Sequence, residues 1–95
     1  MDAPVALRNR RQERQLQIEW ANGAAVQLSH AHLRASCPCS ACRAGRLGGR
    51  IALVDEAVQL VALHPQGYGV QLVFSDGHER GIYPWAYLHE LQGLG

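Results

Sequence analysis

The sequence of 95 residues contains no lysine, and all nine of its basic residues are arginine. Without lysine the chain cannot carry the P-loop motif of nucleotide triphosphatases, in which a lysine contacts the phosphates. The sequence also has no apolar run near the roughly 20 residues that a membrane-spanning helix needs. Its start, Met1–Val5, lacks the charged and apolar stretches of a secretory signal. We therefore expect a soluble, cytoplasmic protein that does not bind membranes.

Cysteine is scarce as well, and the three cysteines of the chain, Cys37, Cys39 and Cys42, fall within six residues. In the cytoplasm thiols stay reduced, so a cysteine cluster indicates a metal site more often than a disulfide. The odd number of cysteines also argues against disulfide pairing. Three unrelated core thiols would follow the period of a strand or a helix, and these do not. Thiolates are soft ligands that select zinc, copper(I) or an iron–sulfur cluster.

The formal net charge of +1 indicates no class of partner by itself. Four of the arginines crowd the N-terminal segment, namely Arg8, Arg10, Arg11 and Arg14. We predict a flexible, arginine-rich arm over residues 1–14 and a single domain over residues 15–95. The arm contains no aromatic side chain on which a base could stack, so we do not expect a nucleic-acid partner.

The first part of the domain shows the period of a half-buried β-hairpin. Apolar and polar residues alternate over Leu16–Trp20, which predicts a strand with one buried face. The asparagine and glycine at positions 22 and 23 tolerate the positive φ of a tight turn, and Ala24–Leu28 returns as the second strand. Ser29 is a suitable N-cap for a short helical turn over His30–Ala35.

The sequence of the second part of the domain predicts a loop followed by three strands. Cys37–Gly49 has no regular period, which predicts an irregular loop that a metal holds in place. Turns at residues 64–67 and 75–78 separate three predicted strands, at Val58–Leu63, Tyr68–Phe74 and Glu79–Tyr83.

A short C-terminal helix completes the prediction. Pro84 suits the first turn of this helix, and Gly93 ends it. Trp85, Leu88 and Leu91 share one helical face. The predicted fold is a small α+β domain that is mainly antiparallel β, with a zinc-binding loop and this helix.

A tetrahedral structural zinc needs four ligands, so the cysteines require a further donor from elsewhere in the chain. Five histidines compete for this position: His30, His32, His64, His78 and His89. His64 and His78 both lie in predicted turns, from which a side chain can reach a neighbouring loop. The sharp reversal at residues 76–77 favours His78, but spacing alone leaves both open because neither matches a compact zinc-finger pattern.

Two segments of the chain resemble the gamma-butyrobetaine-hydroxylase-like N-terminal domain family. One covers Leu33–Cys42, and the other covers Ser75–Leu88 with an Asp-Gly-His signature at positions 76–78. The resemblance extends from about residue 16 to about residue 91. It implies a mostly antiparallel β domain and one zinc ion, with the ligands Cys37, Cys39, Cys42 and His78.

The resemblance also implies a class of partner. In the carnitine-pathway hydroxylases this type of domain precedes an iron- and 2-oxoglutarate-dependent oxygenase domain, and similar domains are fused to ATPases that carry iron–sulfur clusters. The chain ends at Gly95, so we expect neither catalytic unit in it. We expect an accessory module whose protein partner is of the oxygenase or iron–sulfur carrier ATPase type.

Some arginine and aromatic residues are candidates for contacting that partner. Arginine, tryptophan and tyrosine are common at interface hot spots. The candidates are Arg43, Arg46, Arg50, Tyr83, Trp85 and Tyr87. The opposing interpretation is that Tyr83 and Trp85 pack the C-terminal helix onto the sheet.

We do not expect an enzyme. A catalytic zinc keeps one coordination position open, whereas three thiolates and one imidazole fill a tetrahedron. Three thiolates also give a zinc centre a net negative charge, which is poor for activating water. The alternative function is iron–sulfur cluster or iron handling, because thiolates bind such clusters as well as zinc.

Overall fold

The chain folds into two small antiparallel sheets and three helices, in a computed structural model that describes residues 3–49, 54 and 56–94. In chain order the elements are β1 (Ala6–Arg10), β2 (Gln15–Glu19), β3 (Ala25–Ser29), α1 (His30–Ala35), α2 (Ser40–Leu47), β4 (Leu60–Pro65), β5 (Gly69–Phe74), β6 (Ile82–Pro84) and α3 (Trp85–Leu94). One sheet has the strand order β1-β2-β3, and the other has the order β4-β5-β6. The predicted α+β fold class is confirmed.

The first sheet is built on the predicted hairpin, which is confirmed as β2 and β3. Leu16 and Ile18 on β2 are fully buried, whereas the polar residues beside them are only half-buried. Gly23 occupies the turn with a φ of +88°, a conformation that residues with a Cβ atom rarely adopt. The Ser29 hydroxyl accepts a hydrogen bond of 3.0 Å from the His32 amide, so the predicted N-cap of α1 is confirmed as well.

Part of the predicted N-terminal arm belongs to this sheet. The prediction of a flexible arm over residues 1–14 is wrong for Ala6–Arg10, which pair antiparallel with β2 as β1. Leu7 packs against the core, and the Asn9 side chain donates a hydrogen bond of 2.7 Å to the Leu60 carbonyl. The arginines of the strand project outward and hydrogen-bond polar side chains of β2. The high arginine content therefore conceals a strand whose alternate residues face inward.

The second helix is a feature that the sequence did not predict. The prediction of an irregular loop over Cys37–Gly49 is wrong, because Ser40–Leu47 form α2. None of the residues of α2 is fully buried. Most of the helix consists of small residues, a glycine and two arginines, so few large apolar side chains mark its period in the sequence.

The second sheet contains the three predicted strands with shifted bounds. β4 begins at Leu60 rather than Val58 and continues through Pro65, so His64 lies in the strand and not in a turn. β6 starts at Ile82 and is only three residues long, shorter than the predicted strand from Glu79.

The C-terminal helix closes the core. α3 begins at Trp85, so Pro84 is the last residue of β6 rather than part of the first helical turn. The predicted apolar face is confirmed, since Trp85, Leu88 and Leu91 are all buried. Among the residues that the structure describes, no helix is long and apolar enough to cross a bilayer.

A buried histidine joins the two sheets. His30 is fully buried, and its Nδ1 accepts a hydrogen bond of 3.0 Å from the Leu60 amide. Its Nε2 therefore carries the proton and donates to the Asn9 side-chain oxygen at 2.8 Å. Burial lowers the pKa of His30, and two nearby arginines add to this against the opposing effect of a backbone hydrogen bond. One neutral imidazole thus connects β1, α1 and β4.

Candidate metal centre

The three cysteines lie where α1 is followed by α2. Cys37 comes just after the C-cap of α1 and is fully buried. Cys39 is the N-cap residue of α2, and Cys42 lies in the first turn of that helix. Positions three apart at a helix start lie on the same side, so the side chains of Cys39 and Cys42 can face one point. The start of α2 therefore places two of the three thiols together.

His78 reaches the cysteines from the turn between β5 and β6. The Asp76 carboxylate accepts a hydrogen bond of 3.1 Å from the His78 amide, which forms an Asx turn. Gly77 has a φ of +84°, and the Phe74 amide donates a hydrogen bond of 2.9 Å to the His78 carbonyl. These constraints fix the backbone on both sides of His78 and direct its imidazole towards the end of α1.

The side chains that the family resemblance implies as ligands converge in space. The His78 Nε2 atom lies 3.0 Å from the Cys37 sulfur, 3.6 Å from the Cys39 sulfur and 3.7 Å from the Cys42 sulfur. The donor atoms of all these residues lie within 4.8 Å of one another. The group can hold a metal ion.

The spacings fit a single tetrahedral ion. With zinc–sulfur bonds of about 2.3 Å and a zinc–nitrogen bond of about 2.0 Å, a sulfur and a nitrogen at tetrahedral positions are about 3.5 Å apart. The measured distances of 3.6 and 3.7 Å from His78 to Cys39 and Cys42 agree with this value. The contact with Cys37 is about 0.5 Å shorter and would lengthen on binding. Three thiolates and one imidazole are also a common donor set of structural zinc sites.

The protonation states of the donors follow from their surroundings. Burial raises the pKa of the Cys37 thiol to about 12, and the neighbouring cysteines add to the shift. Burial alone would raise the pKa of the Cys39 thiol, but hydrogen bonds from the backbone amides of α2 and from the neighbouring thiols outweigh burial and lower this pKa. Burial and the positive charge of Arg34 lower the pKa of His78, so its imidazole is neutral and able to donate a lone pair. Metal binding must therefore displace a proton from Cys37 but none from His78.

An ion pair connects the two segments that carry the donors. The Arg34 Nε atom on α1 donates a hydrogen bond of 2.8 Å to the Asp76 carboxylate, and its Nη1 atom lies 3.8 Å from the Cys42 sulfur. Burial raises the pKa of Asp76, but the His78 amide and the Arg34 guanidinium outweigh it and the net shift is downward. The ionised carboxylate thus orients both His78 and Arg34. The sequence indicated that the reversal at residues 76–77 could aim His78, but it did not predict the ion pair of Asp76 with Arg34, although both of these residues lie within the family motifs.

Side chains from α2, β6 and α3 hold the segment that leads to Cys37. The hydroxyls of Tyr83 and Tyr87 donate hydrogen bonds of 2.6 and 2.5 Å to carbonyls at the end of α1. The Arg46 guanidinium donates hydrogen bonds of 3.2 and 2.6 Å to the carbonyls of Ala35 and Cys37. The last carbonyls of a helix have no partner within the helix, so these bonds satisfy them and fix the position of Cys37.

The same contacts correct the predicted interaction residues. Tyr83 and Trp85 are 0% and 4% exposed, so they pack the core and cannot contact a partner surface. The opposing interpretation of these two residues is the one that the structure confirms. The other predicted contacts differ in exposure: Arg46 and Tyr87 are half-buried, Arg43 is exposed, and Arg50 lies outside the described residues.

Gly81 leaves room for the Cys37 sulfur. A Cβ atom at position 81 would lie 2.8 Å from this sulfur and 2.9 Å from the Tyr83 ring. Non-bonded carbon contacts are normally about 3.5–4.0 Å long, so any larger residue would displace one of these neighbours. The glycine is therefore part of the construction of the site.

Among the described residues, His78 is the histidine that joins the cysteine group. His64, the alternative that spacing left open, is exposed on β4. His30 is held by its bonds to Asn9 and Leu60, and His89 packs edge-on against the Trp20 ring at 5.8 Å.

Fold and site together define a class of protein, namely a small α+β domain in which three cysteines and one histidine form a candidate metal centre. The family model described as gamma-butyrobetaine hydroxylase-like, N-terminal, matches residues 7–89. The chain belongs to this family. The matched region includes both donor-bearing segments and most of β1.

Three solved structures are similar to the chain over most of its length. A crystal structure from Acidithiobacillus ferrooxidans, of a protein with unknown function in the DUF971 family, has a TM-score of 0.81 and 37% identity, and the match covers 94% of this chain and 91% of that chain. An NMR solution structure has a TM-score of 0.79 and 32% identity, with coverages of 98% and 70%. Another has a TM-score of 0.71 and 25% identity, with coverages of 98% and 74%. No curated protein matches the chain.

Proposed function

We propose that this protein is a zinc-binding accessory module of the cytoplasm, without catalytic activity of its own, that acts through a protein partner. The observation that carries the proposal is the convergence of Cys37, Cys39, Cys42 and His78, whose donor atoms lie within 4.8 Å of one another. This donor set suits zinc, and four protein ligands are the usual number in a structural zinc site. By family resemblance, the partner is of the oxygenase or iron–sulfur carrier ATPase type.

The surroundings of the site favour a structural role over a catalytic one. Four protein donors complete a tetrahedron and leave no position for water or a substrate. Cys37 is fully buried, and its sulfur packs so closely against Gly81 that a Cβ atom at position 81 would lie only 2.8 Å from it. Three thiolates also give a zinc centre a negative charge, which weakens it as a Lewis acid.

An iron–sulfur cluster is the competing occupant of the site. A cluster distributes its ligands over two or more iron atoms, so its donors lie farther apart than the ligands of a single ion. The narrow spacing of 4.8 Å or less therefore favours one ion. A brown protein with visible absorbance would contradict the zinc proposal, whereas a colourless protein that contains zinc would support it.

The experiment is a metal analysis of protein produced with both zinc and iron in the medium. Native mass spectrometry and elemental analysis should find one zinc ion per chain. Cys39→Ser should lose most of this zinc, because it removes one of the thiolates. Ser40→Ala is the matched control, since it changes the next residue of the same turn and should retain the metal. Iron in place of zinc, or equal zinc in both variants, would contradict the proposal.

The absence of independent catalysis is tested separately. The zinc-loaded protein is incubated with iron(II), 2-oxoglutarate and gamma-butyrobetaine, and succinate is measured against a protein-free control. We expect no succinate above the control, because the donor group is closed. Turnover that disappears in Cys37→Ser would show that the site is catalytic.

A further inference from the structure

We propose that the surface around Pro38 is a docking site for an extended, acidic segment of a protein partner. The inference rests on the proposed function, because it gives the chemistry of the partner for the same module. The surface, here called the Pro38 face, consists of two depressions of about 350 and 310 Å³ that meet at Pro38. Arg80 and Ile82 border one depression, and Arg43, Arg46 and Pro84 border the other.

The charge of the Pro38 face is predominantly positive, although Cys39, a ligand of the proposed zinc centre with its net negative charge, also lines one depression. Three of its residues are arginines, and no acidic residue that the structure describes lines either depression. Arg43 and Arg80 are exposed, and neither forms an ion pair within the described part of the chain. Other arginines are paired with carboxylates of the chain itself, namely Arg8, Arg10 and Arg34. The free guanidinium groups of the face are thus available to carboxylates from another molecule.

Arg46 adds a fixed donor to this face. Its bonds to the carbonyls of Ala35 and Cys37 hold the guanidinium at the edge of the depression. A guanidinium has five N–H donors, so the described bonds leave others for a ligand. Because the side chain is already ordered, binding would cost less conformational entropy than for a free arginine.

The surface between the arginines is apolar. Ile82 and Pro84 are exposed on β6, on either side of the buried Tyr83, and they extend the surface of Pro38. Pro84 has no amide hydrogen, so β6 offers little for a partner strand to pair with at this end. An apolar surface flanked by arginines fits a partner segment in which acidic side chains lie on both sides of an apolar side chain. Such a segment would bind through its side chains rather than through backbone pairing.

The face does not have the features of a nucleic-acid site. Tyr87 is the aromatic residue that lines it, and its hydroxyl is already bonded to the Ser36 carbonyl at 2.5 Å, with the side chain half-buried. A half-buried ring offers no free platform for a base to stack on. Three arginines also provide few of the phosphate contacts on which nucleic-acid affinity depends.

The test is a titration of the full chain, followed by NMR of backbone amides and arginine side chains. The probe is a hexapeptide of alternating glutamate and leucine with blocked ends, and a lysine–leucine hexapeptide is the control. Inorganic phosphate and a single-stranded DNA oligonucleotide are titrated in parallel. The double variant Arg43→Glu, Arg80→Glu reverses two charges of the face. The matched variant Arg10→Glu, Arg11→Glu makes the same change in net charge at the end of β1.

We expect saturable shifts at residues 39–41 and at Arg80 with the acidic peptide only. The face variant should bind at least about tenfold more weakly, because two exposed ion pairs are lost and two glutamates now repel the peptide, and the matched variant should bind as the wild type does. An equal loss in both variants, shifts elsewhere, or no shifts would overturn the proposal. If phosphate or DNA binds more tightly than the acidic peptide at the same residues, the ligand of the face is not an acidic segment, and the proposal is overturned as well.

Zinc content is measured on the same samples, so that the two proposals fail separately. If the protein holds one zinc ion but does not bind the peptide, the zinc module is supported and the docking site is contradicted. A chain that binds the peptide at the Pro38 face without any zinc retains the docking site and contradicts the proposed metal.

Discussion

Backbone conformation, rather than side-chain chemistry, distinguishes His78 from the other histidines. The Asp76 carboxylate accepts the His78 amide at 3.1 Å, and Gly77 takes a φ of +84° that permits the tight reversal. His64 carries the same imidazole but precedes Pro65, which restricts it to extended backbone. It therefore continues β4 and stays exposed. At the scale of residues, the turn at positions 76–78 creates the site as much as the donor atoms do.

Removal of each histidine in turn tests this distinction. His78→Ala should leave three thiolates completed by water and lower zinc affinity by at least about 100-fold, more than the usual effect of changing a group that supports a ligand. His64→Ala should change stability by no more than about 0.5 kcal/mol, as an exposed substitution does. Competition with a colorimetric chelator ranks the two variants. If His64→Ala loses zinc and His78→Ala keeps it, the assignment of the imidazole ligand is wrong.

A pair of glycine substitutions tests the packing around Cys37. Gly81→Ala places a Cβ atom 2.8 Å from the Cys37 sulfur and should destabilise the protein by about 1–3 kcal/mol while weakening zinc binding. Gly67→Ala is the control, since nothing lies within 4 Å of its Cβ position and its φ is not positive. Alanine there should be neutral or stabilise by about 0.4–1 kcal/mol. Urea unfolding measures both variants, and equal stabilities would contradict this account.

Elements differ in how far the sequence predicts them. The hairpin of β2 and β3 is predictable because Leu16 and Ile18 alternate with polar residues and become fully buried. α2 is not, because none of its residues is fully buried and its position depends on contacts such as that of Arg46 with the Cys37 carbonyl. β1 is concealed because the arginines on its outer face dominate its composition. An element that buries an apolar face is visible in the sequence, and one held by polar contacts is not.

The candidate site shows the same limit. The cysteines are evident from their spacing, but His78 lies 41 positions beyond Cys37 and only the fold brings the two together. Spacing left His64 and His78 open, and the family motif made the choice. Nothing in the sequence predicted the ion pair between Arg34 and Asp76, apart from the presence of both residues in the family motifs.

The connection of β1, α1 and β4 through His30 predicts a pH dependence. Because burial lowers the pKa of His30, the unfolded chain takes up a proton below about pH 6.5 while the folded chain does not. The free energy of unfolding should therefore fall as the pH decreases through this range, by up to about 1.4 kcal/mol per pH unit.

The variant His30→Gln isolates this effect. It should be less stable than the wild type at pH 7, because the bond from the Leu60 amide is lost, but the difference should narrow towards pH 5. Contributions from the metal site and the other histidines are common to both proteins and cancel in the comparison. Urea unfolding at several pH values measures the difference, and a constant difference would contradict the neutral assignment of His30.

At the scale of the whole molecule, the donor group joins α1, α2 and the turn between β5 and β6. α2 buries none of its side chains fully, so the bonds of Arg46 and a metal bound at the donor group would account for much of what holds it in place. Metal binding should therefore contribute directly to the stability of the fold.

Removal of the metal should accordingly lower the melting temperature. Zinc present at about 1,000 times its dissociation constant adds about 4 kcal/mol of stability, which corresponds to roughly 15–30 °C in a domain of this size. Amide signals of α2 should broaden after chelation more than those of the buried strand β2. Thermal melts before and after chelation, with metal removal verified by elemental analysis, give the result. An unchanged melting temperature would contradict a structural role for the metal.

X-ray absorption spectroscopy of the purified protein, at the zinc and iron edges, tests the proposed metal centre most directly. We predict a zinc ion whose first coordination shell contains three sulfur atoms at about 2.3 Å and one nitrogen atom at about 2.0 Å. His78→Ala should keep the sulfur shell and exchange the imidazole scattering for that of one oxygen. A shell with fewer than three sulfur atoms, or a sample in which iron replaces zinc and shows iron–iron scattering, would contradict the proposed metal centre.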